Sequence, residues 1–409
     1  MTALRSAGLE SLAFSTTRHF LPMELLARAR GVEPAKYIGG LGQREMAVPT
    51  PCEDTVTLAA TAGLRALQQA DIDPASIDTL IVGTETGIDH SKPVASYVHE
   101  LLSLSPYCRV LETKHACYGA TGGLQFAIDR ILSGRARGHK SLIIASDIAR
   151  YGIGSAGEPT QGAGAVAMIV SDQSRLIEFD TSHEGLWSQQ VMDFWRPLYR
   201  KEALADGHYS IQCYLDALSG AYRAWSAGQS DIGAPDACLY HIPFGKMAKK
   251  AHERYLSDLQ IADRSTVETD YQKRVAPYLE LSARIGNVYT GSLYLALYNM
   301  LADASSSLAG RDISLFSYGS GNMAEYFRAR VIPGAQVPDY RPVLSTRQSV
   351  DVARYEQMLL ASTIGDADGS RHDPDHWAVS DLPFVLTAVT DHKRHYIAQS
   401  TPARQQLAA

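Results

Sequence analysis

The chain has no Cys-x-x-Cys pair, no block of like charge and no apolar run long enough to cross a bilayer. Its five cysteines, Cys52, Cys108, Cys117, Cys213 and Cys238, are odd in number and widely spaced. That argues against a disulfide framework or a zinc ribbon and fits a reducing compartment. Met1 to Ser15 lacks the basic-then-apolar pattern of a secretory signal. A formal net charge of −6 offers no bulk attraction to nucleic acid. No Gly/Ser-rich linker or low-complexity segment divides the chain. These absences predict a soluble cytoplasmic protein with no metal, nucleic-acid or membrane partner. What is present is an ordinary globular composition, 45% hydrophobic and 20% charged. At 409 residues it suffices for two core-sized units or one large layered domain.

Short apolar runs read as buried strands: Thr79 to Gly83, Ser141 to Ser146, Ala163 to Val170, Cys238 to His241 and Asp312 to Ser317. Helical periodicity lies between them, over Asp54 to Gln69, Ala95 to Leu104, Thr121 to Ser133, Ile211 to Ser226 and Gly291 to Ala302. The alternation predicts α/β architecture with largely buried sheets. The order of signals repeats. In each half a strand ends in a Gly-bearing loop, a helix opens on small residues, and a second strand ends in a polar turn. We therefore expect a duplicated α/β unit, residues 1–175 and 176–409, with strand ends and helix N-termini facing one cleft. Pro333 to Leu344, Asp366 to His376 and the polar tail after Tyr396 read as surface loops and a frayed end.

Cys117 follows the extended segment Glu112-Thr113-Lys114-His115 and precedes Leu124, Phe126, Ala127, Ile128 and Ile131 at helical spacing. That puts it at or near a helix N-terminus, where unpaired N–H groups and the helix dipole favour a thiolate. A thiolate is a nucleophile that can carry an acyl group. The bland alternative is a small buried residue that only packs. Glu85 sits directly after a buried strand, flanked by Gly83 and Gly87, where a carboxylate can abstract a proton; a solvated loop Glu is the commoner case. His241 ends an apolar strand before Pro243-Phe244 and can donate to a substrate oxygen, or be a core His with one backbone partner. His115 is a rival base for the thiol. Gly319-Ser320-Gly321 can aim a backbone N–H at an oxyanion, though such turns are common. Lys246, Lys249 and Lys250, with His252 and Arg254, form a basic cluster that reads as a solvated helix face or as a dock for a phosphate-rich carrier.

Together these motifs resemble the 3-hydroxy-3-methylglutaryl-CoA (HMG-CoA) synthase family of the thiolase superfamily, bacterial type. The resemblance covers most of the chain. It runs through Gly39 to Val48, Gly83 to Asp89, Lys114 to Tyr118, Ser146 to Gly152, Glu158 to Ala167 and Asp193 to Pro197. It continues through Ser210 to Leu215, His241 to Phe244, Gly286 to Thr290 and Ser317 to Gly321. It is weakest in the first residues and after about Val337. It implies a thiolase-like fold of five layers (α/β/α/β/α) in a homodimer. By resemblance Cys117 is the acylated nucleophile, Glu85 the general base and His241 the group that binds the acceptor carbonyl. Asn287 matches a substrate-binding amide, and the Ser320 and Cys117 amides match the oxyanion hole. Tyr151, Lys246 and Lys250 fall among positions that bind substrate or coenzyme A, with the contacting lysine left open. The implied substrates are acetyl-CoA and acetoacetyl-CoA, the implied product is an isoprenoid precursor of the mevalonate pathway, and no metal or redox cofactor is called for.

The nearest rival is a polyketide β-branching synthase that takes its acyl groups from acyl carrier proteins. The short Gly152 to Gln161 connection and the lysines after His241 favour free coenzyme A. A ketoacyl synthase would pair its Cys with two His, or with His and Asn, and would lack the Glu85 motif. A silent scaffold would not keep Cys117, Glu85 and His241 together.

Overall fold

The computed structural model describes residues 6–136, 138–200, 202–230, 232–362 and 380–399. Nine strands form one sheet. They are β1 (Gly8–Thr16), β2 (Ile77–Gly83), β3 (Arg109–Thr113), β4 (Lys140–Ala149), β5 (Gly162–Ser171), β6 (Ile177–Ser188), β7 (Ala237–Tyr240), β8 (Asp312–Gly319) and β9 (Met323–Val331). Their spatial order is β7-β8-β9-β6-β1-β5-β4-β2-β3. In one wing β2 runs parallel to β3 and β4, and β4, β5 and β1 then alternate in direction. The other wing repeats this with one strand fewer: β7 is parallel to β8, and β8, β9 and β6 alternate. Only two residue pairs, Gly8 with Glu178 and Leu9 with Ile177, join the wings through β1 and β6. β2 thus corresponds to β7, and β4 to β8.

All of β1 and β5, and β4 after Lys140, are buried, so they carry continuous apolar runs rather than an alternating pattern. The helices that matter to the site are α1 (Thr55–Gln69), α2 (Val94–Leu101), α3 (Gly119–Leu132), α4 (Gly207–Ser226), α5 (Gly245–Asp258), α6 (Arg264–Arg274) and α7 (Ser292–Ala304). Asp54 caps α1 in a capping box with Thr57. α3 and α7, the helices that precede β4 and β8, meet in the core. There the Thr121 hydroxyl lies 2.7 Å from the Tyr294 hydroxyl and donates to Ser317 Oγ at 2.8 Å. One hydrophobic core runs through both wings.

Every strand and helix expected from the sequence is present, with ends shifted by a few residues. α4 starts earlier than expected, at Gly207, because Asp206 caps it by accepting from the Tyr209 amide. Pro333 to Leu344 is not wholly a loop. It buries Ala335, Tyr340 and Leu344 and turns into a short helix, Arg341–Ser345, with Pro342 in its first turn. The chain also stays ordered beyond Tyr396. The strand Lys393–Ala398 pairs with Phe384–Thr390, and the Tyr396 hydroxyl donates to Asp54 at 2.6 Å. Asp366 to His376 and residues 400–409 lie outside the described residues. Among the described residues no helix is long and apolar enough to cross a membrane.

Candidate active site

The ends of corresponding strands converge on one pocket. β2 ends at Gly83 and leads to Glu85; β7 ends at Tyr240 and leads to His241. β3 ends at Thr113 and leads to Cys117 before α3; Gly286-Asn287 precedes α7 in the other wing. β4 carries Asp147 near its end, and β8 runs into the Ser320 turn. Two glycines make this convergence possible. A Cβ on Gly83 would sit 2.3 Å from the Ala120 backbone, and one on Gly319 would sit 2.5 Å from the His115 carbonyl oxygen. No larger residue allows either approach.

The pocket has a volume of about 1020 Å³. Cys117, Tyr151, His241, Asn287 and Ser320 all line it, together with Phe194, Phe244, Met247 and Tyr289. Cys117 packs against Ala149 and Tyr289, with Tyr151 and Phe194 beside them. The thiol therefore faces an apolar, aromatic wall suited to a methyl group. Asn287 Oδ1 accepts from the Tyr289 amide at 2.8 Å and from Ser292 Oγ at 2.9 Å, which leaves the amide's NH₂ end as its donor to the pocket side.

Electrostatics differ from the expectation for a helix N-terminus. α3 begins at Gly119, two residues past Cys117, so the dipole's help is weakened by distance. Burial pushes the Cys117 thiol well above its ordinary value, and Glu85, Asp147 and Asp193 push it the same way. The resting side chain is a thiol. Ala116, just before it, holds a left-handed backbone at φ 39°. Burial, then Asp147, raises Glu85 to about 8, while Arg196 opposes. The Glu85 carboxyl is 8% exposed, and one oxygen has no hydrogen-bond partner, although Arg196 Nη2 lies 3.5 Å away. His241, held to about 3 by burial, is a neutral imidazole at physiological pH. His115 is not aimed at Cys117 as a base. Its ring hydrogen-bonds the Ser320 backbone and stands edge-on to Tyr118.

Three residues of this site carried no role in the sequence reading. Asp147 is fully buried and ties the wings together. Oδ1 accepts from Thr84 Oγ1 and from the amides of Glu85 and Thr86 at 2.8 to 3.1 Å, and from Thr86 Oγ1. Oδ2 accepts from the Thr290 amide and hydroxyl. Asp193 accepts from the Gly321 amide at 2.9 Å and the Tyr318 hydroxyl at 2.6 Å, fixing the Ser320 turn. Arg196 is the cation beside Glu85. The signal for Asp147 was visible: an acid inside an otherwise apolar strand needs partners.

The basic cluster divides. Lys249 pairs with Glu268 at 2.6 Å, buried His252 bridges Asp270 and Tyr240, and Arg254 pairs with Asp216. These three dock α5 against α6 and α4 and do not form a shared basic surface. Lys246 is exposed and Lys250 half-buried, with no ion-pair partner among the described residues; neither lines the pocket. Among the described residues no group of three or more His, Cys, Asp or Glu is placed to hold a metal.

The model for "Hydroxymethylglutaryl-coenzyme A synthase N terminal" matches residues 6–175. The corresponding C-terminal model matches residues 177–270 and 258–354. A hydroxymethylglutaryl-CoA synthase of Enterococcus faecalis is 36% identical over 95% of this chain and 99% of its own. The polyketide biosynthesis 3-hydroxy-3-methylglutaryl-ACP synthase PksG of Bacillus subtilis is 35% identical over 81% of each chain. A solved structure of MvaS in complex with 3-hydroxy-3-methylglutaryl coenzyme A superposes with a TM-score of 0.89. It is 46% identical and covers 97% of this chain and 100% of that one. The thiolase-like fold and the acyl-condensing chemistry of such enzymes account for a pocket built from matching strand ends around one cysteine, and the chain belongs to the hydroxymethylglutaryl-CoA synthase family.

Proposed function

We propose that this protein condenses acetyl-CoA with acetoacetyl-CoA to give HMG-CoA and free CoA. The observation that carries the reading is the meeting of Cys117, His241 and Asn287 in one pocket, with Glu85 buried beside the cysteine. The 46% identity to MvaS, whose structure holds HMG-CoA, supports coenzyme A over a carrier protein as the handle. In this reading Cys117 attacks the acetyl-CoA carbonyl, CoA leaves with the thiol proton, and an acetyl thioester remains. The amides of Cys117 and Ser320 stabilise the enolate oxygen while ionised Glu85 takes a methyl proton. The carbanion adds to the 3-keto carbon of acetoacetyl-CoA. Neutral His241 donates a hydrogen bond to the new alkoxide, with Asn287 and Tyr151 orienting the acyl chain. Water then cleaves the Cys117 thioester.

We further propose that the duplicated unit divides at residues 175/176 and that Lys246 or Lys250 meets the coenzyme A phosphates. The enzyme is assigned to the cytoplasm, to isoprenoid precursor synthesis and to a homodimer, with no cofactor beyond its CoA substrates. The dimer is supported by β3, an edge strand that is only half-buried, with Tyr107 and Phe126 exposed close by in the chain.

The similarity to PksG favours one second reading, carrier-protein-bound substrates. One experiment separates them: acetyl transfer to the purified protein from acetyl-CoA and from an acetylated carrier protein, followed by condensation with each acceptor. Mass spectrometry should find one acetyl group on Cys117, and Cys117→Ser should take none. Glu85→Gln should acetylate and then fail to condense, by at least about 10²-fold. Acetylation elsewhere overturns the nucleophile assignment; transfer only from the carrier protein overturns the CoA reading.

A further inference from the structure

A second cleft lies away from the pocket just described, between α1, β1, α7 and the segment that follows β9. It has a volume of about 260 Å³. Its lining comprises Phe14, Arg65, Gln68, Tyr298, Pro338 and Val343, with Gln69 and Asp339 at its edges. Arg65 lies ten residues, about 15 Å, along α1 from the Thr55 end that meets the Glu85 loop.

Arg65 is unusual among the described residues. Most of its surface is covered, and it has no carboxylate partner there. One nitrogen, Nη1, donates to the Phe14 carbonyl at 2.8 Å. Among the described residues its other N–H groups have no hydrogen-bond partner, and the side chain lines the cleft. A guanidinium carries five donors and stays charged, and burying it without an anion is costly. Burial indeed opposes its charge, with the Tyr298 hydroxyl the one group acting the other way. The neighbouring acid, Asp339, is paired with Arg341 at 2.9 Å. An adjoining cavity of about 480 Å³ shares Gln69 and Pro338, and its one buried acid, Glu10, is neutralised by Lys140 and Arg175. The cleft therefore holds a guanidinium with no ion-pair partner among the described residues, while its one acid, Asp339, is engaged by Arg341.

The walls define the rest of the ligand. Phe14 and Tyr298 meet edge to face at 4.8 Å and form an apolar floor. The Tyr298 hydroxyl is already committed to the Pro338 carbonyl. Pro338 and Val343 form an apolar flank, and the amides of Gln68 and Gln69 stand at the rim. A bare inorganic anion would leave these walls unused, and the volume is too small for a nucleotide-bearing carrier. We propose that this cleft is a second small-molecule site, for a compact organic carboxylate whose head group pairs with Arg65 and whose few-carbon or aromatic body rests on Phe14 and Tyr298.

The probes are benzoate, its uncharged counterpart benzyl alcohol, and inorganic phosphate, titrated into the full-length protein with saturating coenzyme A filling the Cys117 pocket. Binding is read by calorimetry and by melting temperature. Benzoate should bind and raise the melting temperature, whereas benzyl alcohol and phosphate should bind at least about tenfold more weakly. Arg65→Met keeps the aliphatic stem and should lose at least about tenfold in benzoate affinity. If that variant does not fold, Val343→Trp fills the cleft from its flank, leaves Arg65 in place and should abolish benzoate binding. Equal binding of benzoate and benzyl alcohol, unchanged benzoate affinity in either variant, or no benzoate binding at all overturns the proposal. Phosphate binding as tight as benzoate overturns the organic-body requirement.

Discussion

Removing the charge of Arg196 tests whether Glu85 is the base. Arg196 Nη2 lies 3.5 Å from Glu85 Oε1, and the two side chains are 22% and 8% exposed. At an effective dielectric of about 20 that separation corresponds to several kcal/mol of attraction. Solvent reaching the guanidinium screens part of it, so the expected effect on Glu85 is about one to two pKa units. The sign is fixed. Loss of a cation disfavours the carboxylate, so Arg196→Met should raise Glu85 from about 8 to roughly 9–10. At pH 7 the ionised fraction then drops from about one tenth to about one hundredth or less.

Condensation at pH 7 should therefore fall about 10- to 100-fold and recover as pH approaches 10, because the base form is regained. The rate should be measured on pre-formed acetyl-enzyme in a single turnover. Acetylation removes the Cys117 thiol, so the pH dependence of this step reads Glu85. Acetyl transfer should slow as well, because Arg196 also favours the Cys117 thiolate, so condensation is read from pre-formed acetyl-enzyme. Arg196 also approaches the Glu85 carbonyl at 3.5 Å, so Arg196→Lys is the control that keeps a cation there. An inflection that stays put or moves down in Arg196→Met would refute the assignment.

Three further outcomes follow from the same geometry. His241 is held to about 3 by burial, so the condensation profile should show no inflection near 6.5 from it. Its folded pKa lies below its unfolded one, so its stabilising share is intact above about 6.5 and is lost as pH falls toward 3. His241→Gln should make the fall in denaturation midpoint between pH 6.5 and 5 shallower, and should cut condensation by about 10²-fold with acetylation retained. Asp147→Asn loses an acceptor oxygen among those that serve Thr84, Glu85, Thr86 and Thr290; stability measured by urea unfolding should drop by roughly 1–3 kcal/mol, and the pH inflection of condensation should move below about 8, because Asp147 helps to raise Glu85. Gly319→Ala would drive a methyl to within 2.5 Å of the His115 carbonyl oxygen; acetyl transfer, read by mass spectrometry, should slow by at least about tenfold because the Cys117 loop must move.

The alternation of strands and helices was legible because each buried strand is a continuous apolar run, as in β4 and β5. The pairing of the two wings was legible only as an order of signals. Which strands adjoin depends on contacts far apart in sequence, such as Gly8 with Glu178. Of the site residues, Glu85 and His241 stood out because each follows a short apolar strand, and Cys117 because it stands between an extended segment and a run at helical spacing. Asp193 and Arg196 follow no such pattern. They flank a two-residue strand, Phe194–Trp195, that exists only through its pairing with Leu204–Ala205. Nothing local in the sequence marks that segment as facing Glu85.

Charge went astray for a related reason. From the sequence, five basic side chains between Lys246 and Arg254 read as one surface, and Cys117 read as activated by a helix dipole. Both readings treat an element in isolation. In the folded chain α6, whose described residues are all at least partly exposed, is held to α5 through Lys249–Glu268 and His252–Asp270, so the cations it meets are neutralised in place. At Cys117 the loss of water, with Glu85, Asp147 and Asp193 acting the same way and Arg196 opposing, outweighs a dipole whose effect fades within one turn. The consequence reaches the chemistry. A thiol kept protonated at rest is protected from oxidation and from chance acylation. In the proposed reaction it attacks when the oxyanion-hole amides meet the carbonyl of a bound thioester, and the departing thiolate takes its proton. Glu85, raised to about 8 by burial and Asp147, keeps its proton in most molecules at neutral pH for the same reasons. In the proposed reaction the same burial and acidic crowding set both resting states, a protonated thiol and a largely protonated carboxyl, and tie the condensation rate to the ionised fraction of Glu85.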